Sequence, residues 1–175
     1  MLAIMNEELF NSLDNASIIW ACIEPTVMKI RGKDFKVKRD AYDELTAGQR
    51  ALLMFQIIYG HSSSGILQFF SYVPYVPSGK GIWHELKKAM EYFKDYSMQE
   101  IFAEMEKDYI ALEEKSHVLG TERIDLSISS IEDKSELALA IGKHDKLYRE
   151  AIPETIKLIG AYIRNNPSEF VQLDK

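Results

Sequence analysis

Residues 45–73 form the densest apolar block in the chain, and any fold open to it has to bury them. Thr46 followed three residues later by Gln49 is a capping-box pattern, with Leu45 placed as a hydrophobic staple just before it. Leu52, Leu53, Phe55, Ile57, Ile58 and Tyr59 then lie on more than one side of a helix. A helix with so wide an apolar surface belongs inside a fold. Gly60 predicts its stop, and Ser62-Ser63-Ser64-Gly65 predicts a break followed by a new N-cap. Ile66, Leu67, Phe69, Phe70 and Val73 give a second short apolar helix, closed by Pro74 and Pro77. The pair predicts a buried hairpin wrapped by outer helices.

The rest of the chain supplies those outer helices. In residues 6–31, Asn6 can cap, and Leu9, Phe10, Leu13, Ile19, Trp20, Ile23 and Val27 recur near a 3–4 spacing. Asp14-Asn15 offers a second start, and Pro25 predicts a kink or split. Gly32-Lys33-Asp34 is a turn signal, and residues 35–44 predict a short helix. After the Pro- and Gly-rich loop at 74–81, Ile82, Trp83, Leu86, Met90 and Phe93 form an amphipathic stripe. Ser97 with Glu100 repeats the capping box and opens a long helix to about His117, its stripe being Met98, Ile101, Phe102, Met105, Tyr109 and Leu112. Residues 120–133 read as irregular, since the alternation Ile124–Ser129 has no partner strand. Helical spacing resumes at Lys134, Pro153 predicts a fresh helix, and Asn166-Pro167-Ser168 stops it before a short tail. The expectation is an all-α single domain over 1–175, a bundle of about seven or eight helices around the central hairpin.

With 46% hydrophobic residues in 175, one domain has ample core. Apolar runs stop well short of the roughly 18 residues that would span a bilayer. Met1–Glu8 lacks the basic start of a signal peptide, and the lone Cys22 excludes an internal disulfide; the cytoplasm is the expected location. The net charge of −6 is unevenly spread. Lys29, Arg31, Lys33, Lys36, Lys38 and Arg39 face only Asp34 within 29–39, whereas residues 85–114 carry nine acids against four lysines. Opposite patches of this kind can steer partners.

Gln49-Arg50-Ala51-Leu52, the small-residue turn with Gly65, and Gln68-Phe69-Phe70 together resemble the signature of an uncharacterised bacterial helical domain family. Its best-known relative is a DNA-mimic protein that binds a transcription factor. The family pattern at the turn runs roughly Glu-Val-Asn-Asn-Gly-Gly-Phe-x-Gln-(Phe/Tyr)-Phe. The Asp145…Tyr148 region, Ala161-Tyr162-Ile163, Asn166-Pro167 and Phe170 are similar to the family's closing helix, so the likeness covers about 43–170. This chain departs from it at Gly60, where the family has Glu, at Ser62 and Ser63 for Asn-Asn, at Ser64 for the first Gly and at Ile66 for Phe. The resemblance implies a helical fold, Gly65, Gln68, Phe69 and Phe70 as motif residues, and action by binding a protein.

The reactive residues complete none of the common catalytic patterns. The histidines at 61, 84, 117 and 144 are too far apart for a helical two-His metal motif. Glu114-x-x-His117 is half of a di-iron pattern without its second half; His117 more simply meets a helix C-terminus or a neighbouring acid. Ser62, Ser63 and Ser64 all fail the Gly spacing of a nucleophile elbow, and Gly79-Lys80-Gly81 fails both phosphate-binding patterns. Cys22 reads as a core residue, and Gln68 as a hydrogen bond to the turn backbone. No catalytic residue, metal ligand or cofactor is expected.

The acidic stretch holds the most functional content. Glu100, Glu104 and Asp108 recur at one-turn spacing, about 6 Å apart along a helix axis. That is the few-ångström scale of successive phosphates on a DNA strand. Glu85, Glu91 and Asp95 would widen the track from the preceding helix. The expected function is a non-enzymatic interaction domain, with a DNA mimic as one form of it, in which Glu91, Asp95, Glu100, Glu104 and Asp108 bind a protein of basic surface. A membrane is not an expected partner, and direct nucleic-acid binding through the basic 29–39 segment is a lesser alternative, since only Phe35 is interleaved there. The alternative is a small-molecule-binding or enzymatic domain with a pocket near the Ser62–Gly65 turn.

Overall fold

The computed structural model describes residues 2–76, 81–118 and 135–174, and their side chains except those of 112, 115–118 and 135–138. Eight α-helices lie within the described residues. They are α1 (Glu7–Ser12), α2 (Asn15–Ile30), α3 (Phe35–Asp43), α4 (Ala47–His61), α5 (Ile66–Tyr72), α6 (Gly81–Phe93), α7 (Tyr96–Val118) and α8 (Ser135–Asn165). Short 3-10 turns follow α5 at Val73–Tyr75 and α8 at Pro167–Glu169. The architecture is the expected all-α bundle.

Local chemistry sets the helix starts. Asn6 and Asp14 accept the N–H groups of Leu9 and Ser17 at 2.7 Å each, and so begin α1 and α2 separately. At α4 the capping box closes in both directions: Thr46 Oγ1 accepts from Gln49 N–H, and Gln49 Oε1 accepts from Thr46 N–H. Leu45 is buried beside it, as a staple should be. α4 buries Leu52, Leu53, Phe55 and Ile58 between α2 and α6, α6 packs on α7, and α8 lies across α2, α5 and α7. The core therefore does centre on the α4–α5 hairpin.

Four expectations need correction. α4 passes Gly60 and ends one residue later. α7 is capped by Asp95 rather than opened by the Ser97/Glu100 box, because Asp95 Oδ1 accepts the Met98 N–H at 3.0 Å. Neither proline breaks its helix: Pro25 lies inside α2 and Pro153 inside α8. An interior proline costs about 3 kcal/mol. Buried residues on both sides of each, Cys22, Ile23 and Thr26 around Pro25 and Tyr148, Thr155 and Ile159 around Pro153, let continuous packing outweigh that cost.

The fourth correction concerns the ends. Ala3–Asn6 (β1) and Val171–Asp174 (β2), the latter read as a tail, pair as a parallel two-stranded sheet with Ala3 opposite Val171. Ala3, Met5 and Val171 face the core, and Arg164 adds a polar clamp by donating to Leu13 O and Asn15 Oδ1, both at 2.6 Å. α2 and α8 approach so closely there that a Cβ on Gly160 would lie 2.5 Å from Asn15 Oδ1. Residues 77–80 of the Pro/Gly loop, the irregular reading of 120–133 and the His117 side chain lie outside the described set.

Candidate functional site

Two regions gather the residues singled out in the sequence: the turn between α4 and α5, and the outer flank of α7. At the turn, Gly65 sits at φ +119°, a conformation open in practice to glycine alone. It is the N-cap of α5 but has no side chain with which to cap. The missing acceptor comes from α8, where Asp145 Oδ1 takes the Ile66 N–H at 3.0 Å, and Arg149 Nε braces Asp145 at 2.6 Å. The N-cap expected within Ser62–Gly65 thus falls at Gly65, and its side-chain acceptor is tertiary.

The remaining polar groups of the turn bind one another. Gln68 Oε1 accepts the Ser64 N–H at 3.2 Å, the backbone bond anticipated for it, and the Ser63 hydroxyl at 3.4 Å. Buried Ser62 donates to the Tyr148 hydroxyl at 3.1 Å. The His61 ring stacks on Tyr72 at 3.7 Å, and burial lowers its pKa. Phe69 and Phe70 are fully enclosed. All four motif residues thus have structural roles: Gly65 for conformation, Gln68 for the turn, Phe69 and Phe70 for the core. Serine and histidine do not meet here in the geometry of a nucleophile and its base.

Below the turn lies an aromatic cluster. Trp83 meets Phe69 and Phe70 edge-on at 5.5 and 5.8 Å, and Tyr109 meets Phe70 at 5.7 Å and Trp83 at 5.7 Å. Burial, with the charge of Glu113, pushes the Tyr109 phenol up to about 12. His144 completes the cluster, 6.4 Å from the Phe70 ring centre and 1% exposed. Its Nε2 contacts Asp108 Oδ2 at 2.7 Å. Neither this buried histidine nor its carboxylate partner was legible as a pair, because 36 residues separate them.

On α7, Glu100 and Glu104 are exposed on the flank away from Met98, Phe102, Met105 and Tyr109, while half-exposed Asp108 stands at the edge of that buried stripe, against His144. Glu104 pairs with Lys107 at 2.5 Å, and that hydrogen bond, then the lysine's charge, lowers the Glu104 pKa. Glu106 pairs with Lys87, and Glu85 accepts from the Tyr42 hydroxyl at 2.8 Å, which takes both out of any free acidic face. Glu91 is exposed on α6.

Asp95 requires a correction. It is 5% exposed, with Oδ1 on the Met98 N–H and Oδ2 accepting the Thr155 hydroxyl at 2.6 Å. It locks α7 to α8 and presents no carboxylate to a partner. Cys22 is buried, and that burial pushes its thiol up to about 12, the environment of a core residue. Among the described residues no group of three or more His, Cys, Asp or Glu is placed to hold a metal ion, and no helix is long and apolar enough to cross a membrane. Compared with protein-family models, curated proteins and solved structures, the chain matches none.

Proposed function

We propose that the chain is a non-enzymatic interaction domain that binds a basic, DNA-binding protein in the cytoplasm through the flank of α7. One observation carries the reading: Glu100 and Glu104 stand exposed at successive turns on the side of α7 away from the core, with half-exposed Asp108 following one turn on at the edge of the buried stripe. The resemblance to the DNA-mimic family points the same way. The two free-standing glutamates, about 6 Å apart along the axis, with the exposed part of Asp108 beyond them, offer a basic groove the charge pattern of a short phosphate run. Lys107 tempers that field, so the attraction is moderate, local and sensitive to salt. Glu91 can extend the surface from α6, whereas Asp95 cannot.

The test uses the full chain, immobilised, with lysate of its host. Capture of a DNA-binding protein that is released by salt and displaced by duplex DNA is expected. Glu100→Lys with Glu104→Lys should lower that capture at least tenfold while leaving the unfolding temperature in place, since both side chains are exposed. Asp108→Asn is scored separately because Asp108 also holds His144. Capture unaffected by the double reversal, or a captured protein lacking a basic DNA-binding face, refutes the proposal.

A further inference from the structure

The basic segment at 29–39 takes no part in the acidic flank of α7, and the fold makes of it a projecting tip. Every residue from 31 to 40 is exposed, and Ala41 is the buried residue of α3. Gly32, at φ +70°, turns the chain out of α2, and Asp34 starts α3 by accepting the Val37 N–H at 2.9 Å. The first turn of α3 therefore stands out from the bundle. Lys29 pairs with Glu44 at 2.9 Å and Lys36 with Asp40 at 3.4 Å, but among the described residues no carboxylate pairs with Arg31, Lys33, Lys38 or Arg39. Those four cations meet one other acid within 31–39, Asp34, which is held in the helix cap. Asp43 lies two turns on, at the far end of α3. Apolar side chains share the corner: Met28, in the last turn of α2, is 56% exposed, Phe35 48% and Val37 36%. The Arg39 guanidinium lies over the Phe35 ring, 5.2 Å from its centre.

We infer that this tip docks on an anionic phospholipid bilayer. The unpaired cations complement a negatively charged headgroup layer, where each basic residue close to the surface strengthens binding about fivefold. The apolar side chains decide between polyanions. Met28, Phe35 and Val37 leave water when they enter the boundary between headgroups and acyl chains. A nucleic acid offers no such apolar phase, and Arg39 already covers one face of the only aromatic ring on which a base could stack here. A convex tip also suits a flat layer of headgroups better than a strand that must lie in a groove. The contact is peripheral, since among the described residues no helix is long and apolar enough to cross a membrane. It sits on α2 and α3 and does not depend on Glu100 and Glu104 of α7.

The test mixes the full chain with sucrose-loaded vesicles of equal parts phosphatidylglycerol and phosphatidylcholine, and with vesicles of phosphatidylcholine alone. Saturable cosedimentation with the anionic vesicles is expected, at least tenfold tighter than with the neutral ones and weakened by salt. Lys33→Gln with Lys38→Gln should loosen it at least tenfold and leave the unfolding temperature in place, because both side chains are exposed. In Phe35→Trp, indole emission should shift to the blue on the anionic vesicles and be quenched by brominated acyl chains, beyond any change in the parent, whose Trp20 and Trp83 lie on α2 and α6. The inference is overturned if the anionic vesicles fail to carry down the chain at low salt, or if the double glutamine variant binds them as well as the parent. It is equally overturned if brominated lipid leaves the Phe35→Trp emission untouched, or if a duplex or single-stranded oligonucleotide binds the tip more tightly than the vesicles do, which makes it a nucleic-acid surface.

Discussion

Removing the Asp95 carboxylate separates structure from interaction at the one acidic residue, among those described, that the bundle buries. Asp95→Ala deletes the N-cap of α7, which costs about 0.5–2 kcal/mol. It also leaves the Thr155 hydroxyl buried without its main acceptor, a further cost of about 1–3 kcal/mol. A loss of about 3 kcal/mol overall lowers the melting temperature of a domain this size by about 6–12 °C. Asp95→Asn keeps a capping oxygen and an amide facing Thr155, so its cost is about 1 kcal/mol. Urea unfolding followed by far-UV circular dichroism measures both. Because the Oδ2–Oγ1 contact is shared, Asp95→Ala and Thr155→Val should cost clearly less together than the sum of the single losses. Strict additivity, or a stability for Asp95→Ala within about 0.5 kcal/mol of the parent, defeats the assignment.

Two other perturbations test the α4–α5 turn. Gly65→Ala forces a side chain into a conformation that costs about 1–3 kcal/mol, and its Cβ would approach Asp145 Oδ1 to 3.1 Å; chemical denaturation giving parent-like stability contradicts the tertiary cap. His61, whose pKa burial lowers from 6.5, binds a proton more readily in the unfolded chain. Its contribution is therefore intact above pH 6.5 and is lost as pH falls through its lowered folded-state value. Unfolding free energy should decline across that window in the parent and decline less in His61→Phe; parallel pH profiles would exclude the effect.

What the sequence reveals here is what short-range chemistry decides. Thr46 and Gln49 are three residues apart, and their reciprocal bonds form as the spacing implies. The stripes of α6 and α7 recur each turn, and Trp83, Leu86, Met90, Met98, Phe102 and Met105 are all buried accordingly. The failures are contacts between distant residues. Asp145 caps Ile66 from 79 positions away, and Asp95 owes its burial to Thr155, 60 positions on. Ser97-x-x-Glu100 satisfies the capping pattern as well as Asp95 satisfies N-cap chemistry, and only packing against α8 separates the two. The ends escaped notice because four alternating residues at each make too short a strand signal alone. The acidic track was readable as composition, but the counter-ions Lys107 and Lys87 and the buried Asp95 come only from the fold.

The parallel pairing of Ala3–Asn6 with Val171–Asp174 also sets a clock on synthesis. At roughly 5–20 residues per second, the opening segment waits on the order of ten to thirty seconds for its mate to leave the ribosome. Throughout that interval Ala3 and Met5 have nothing to cover them on that side. A nascent chain stalled before residue 171 therefore carries a sticky leading edge, and that edge is covered only once Val171–Asp174 is free to pair with it.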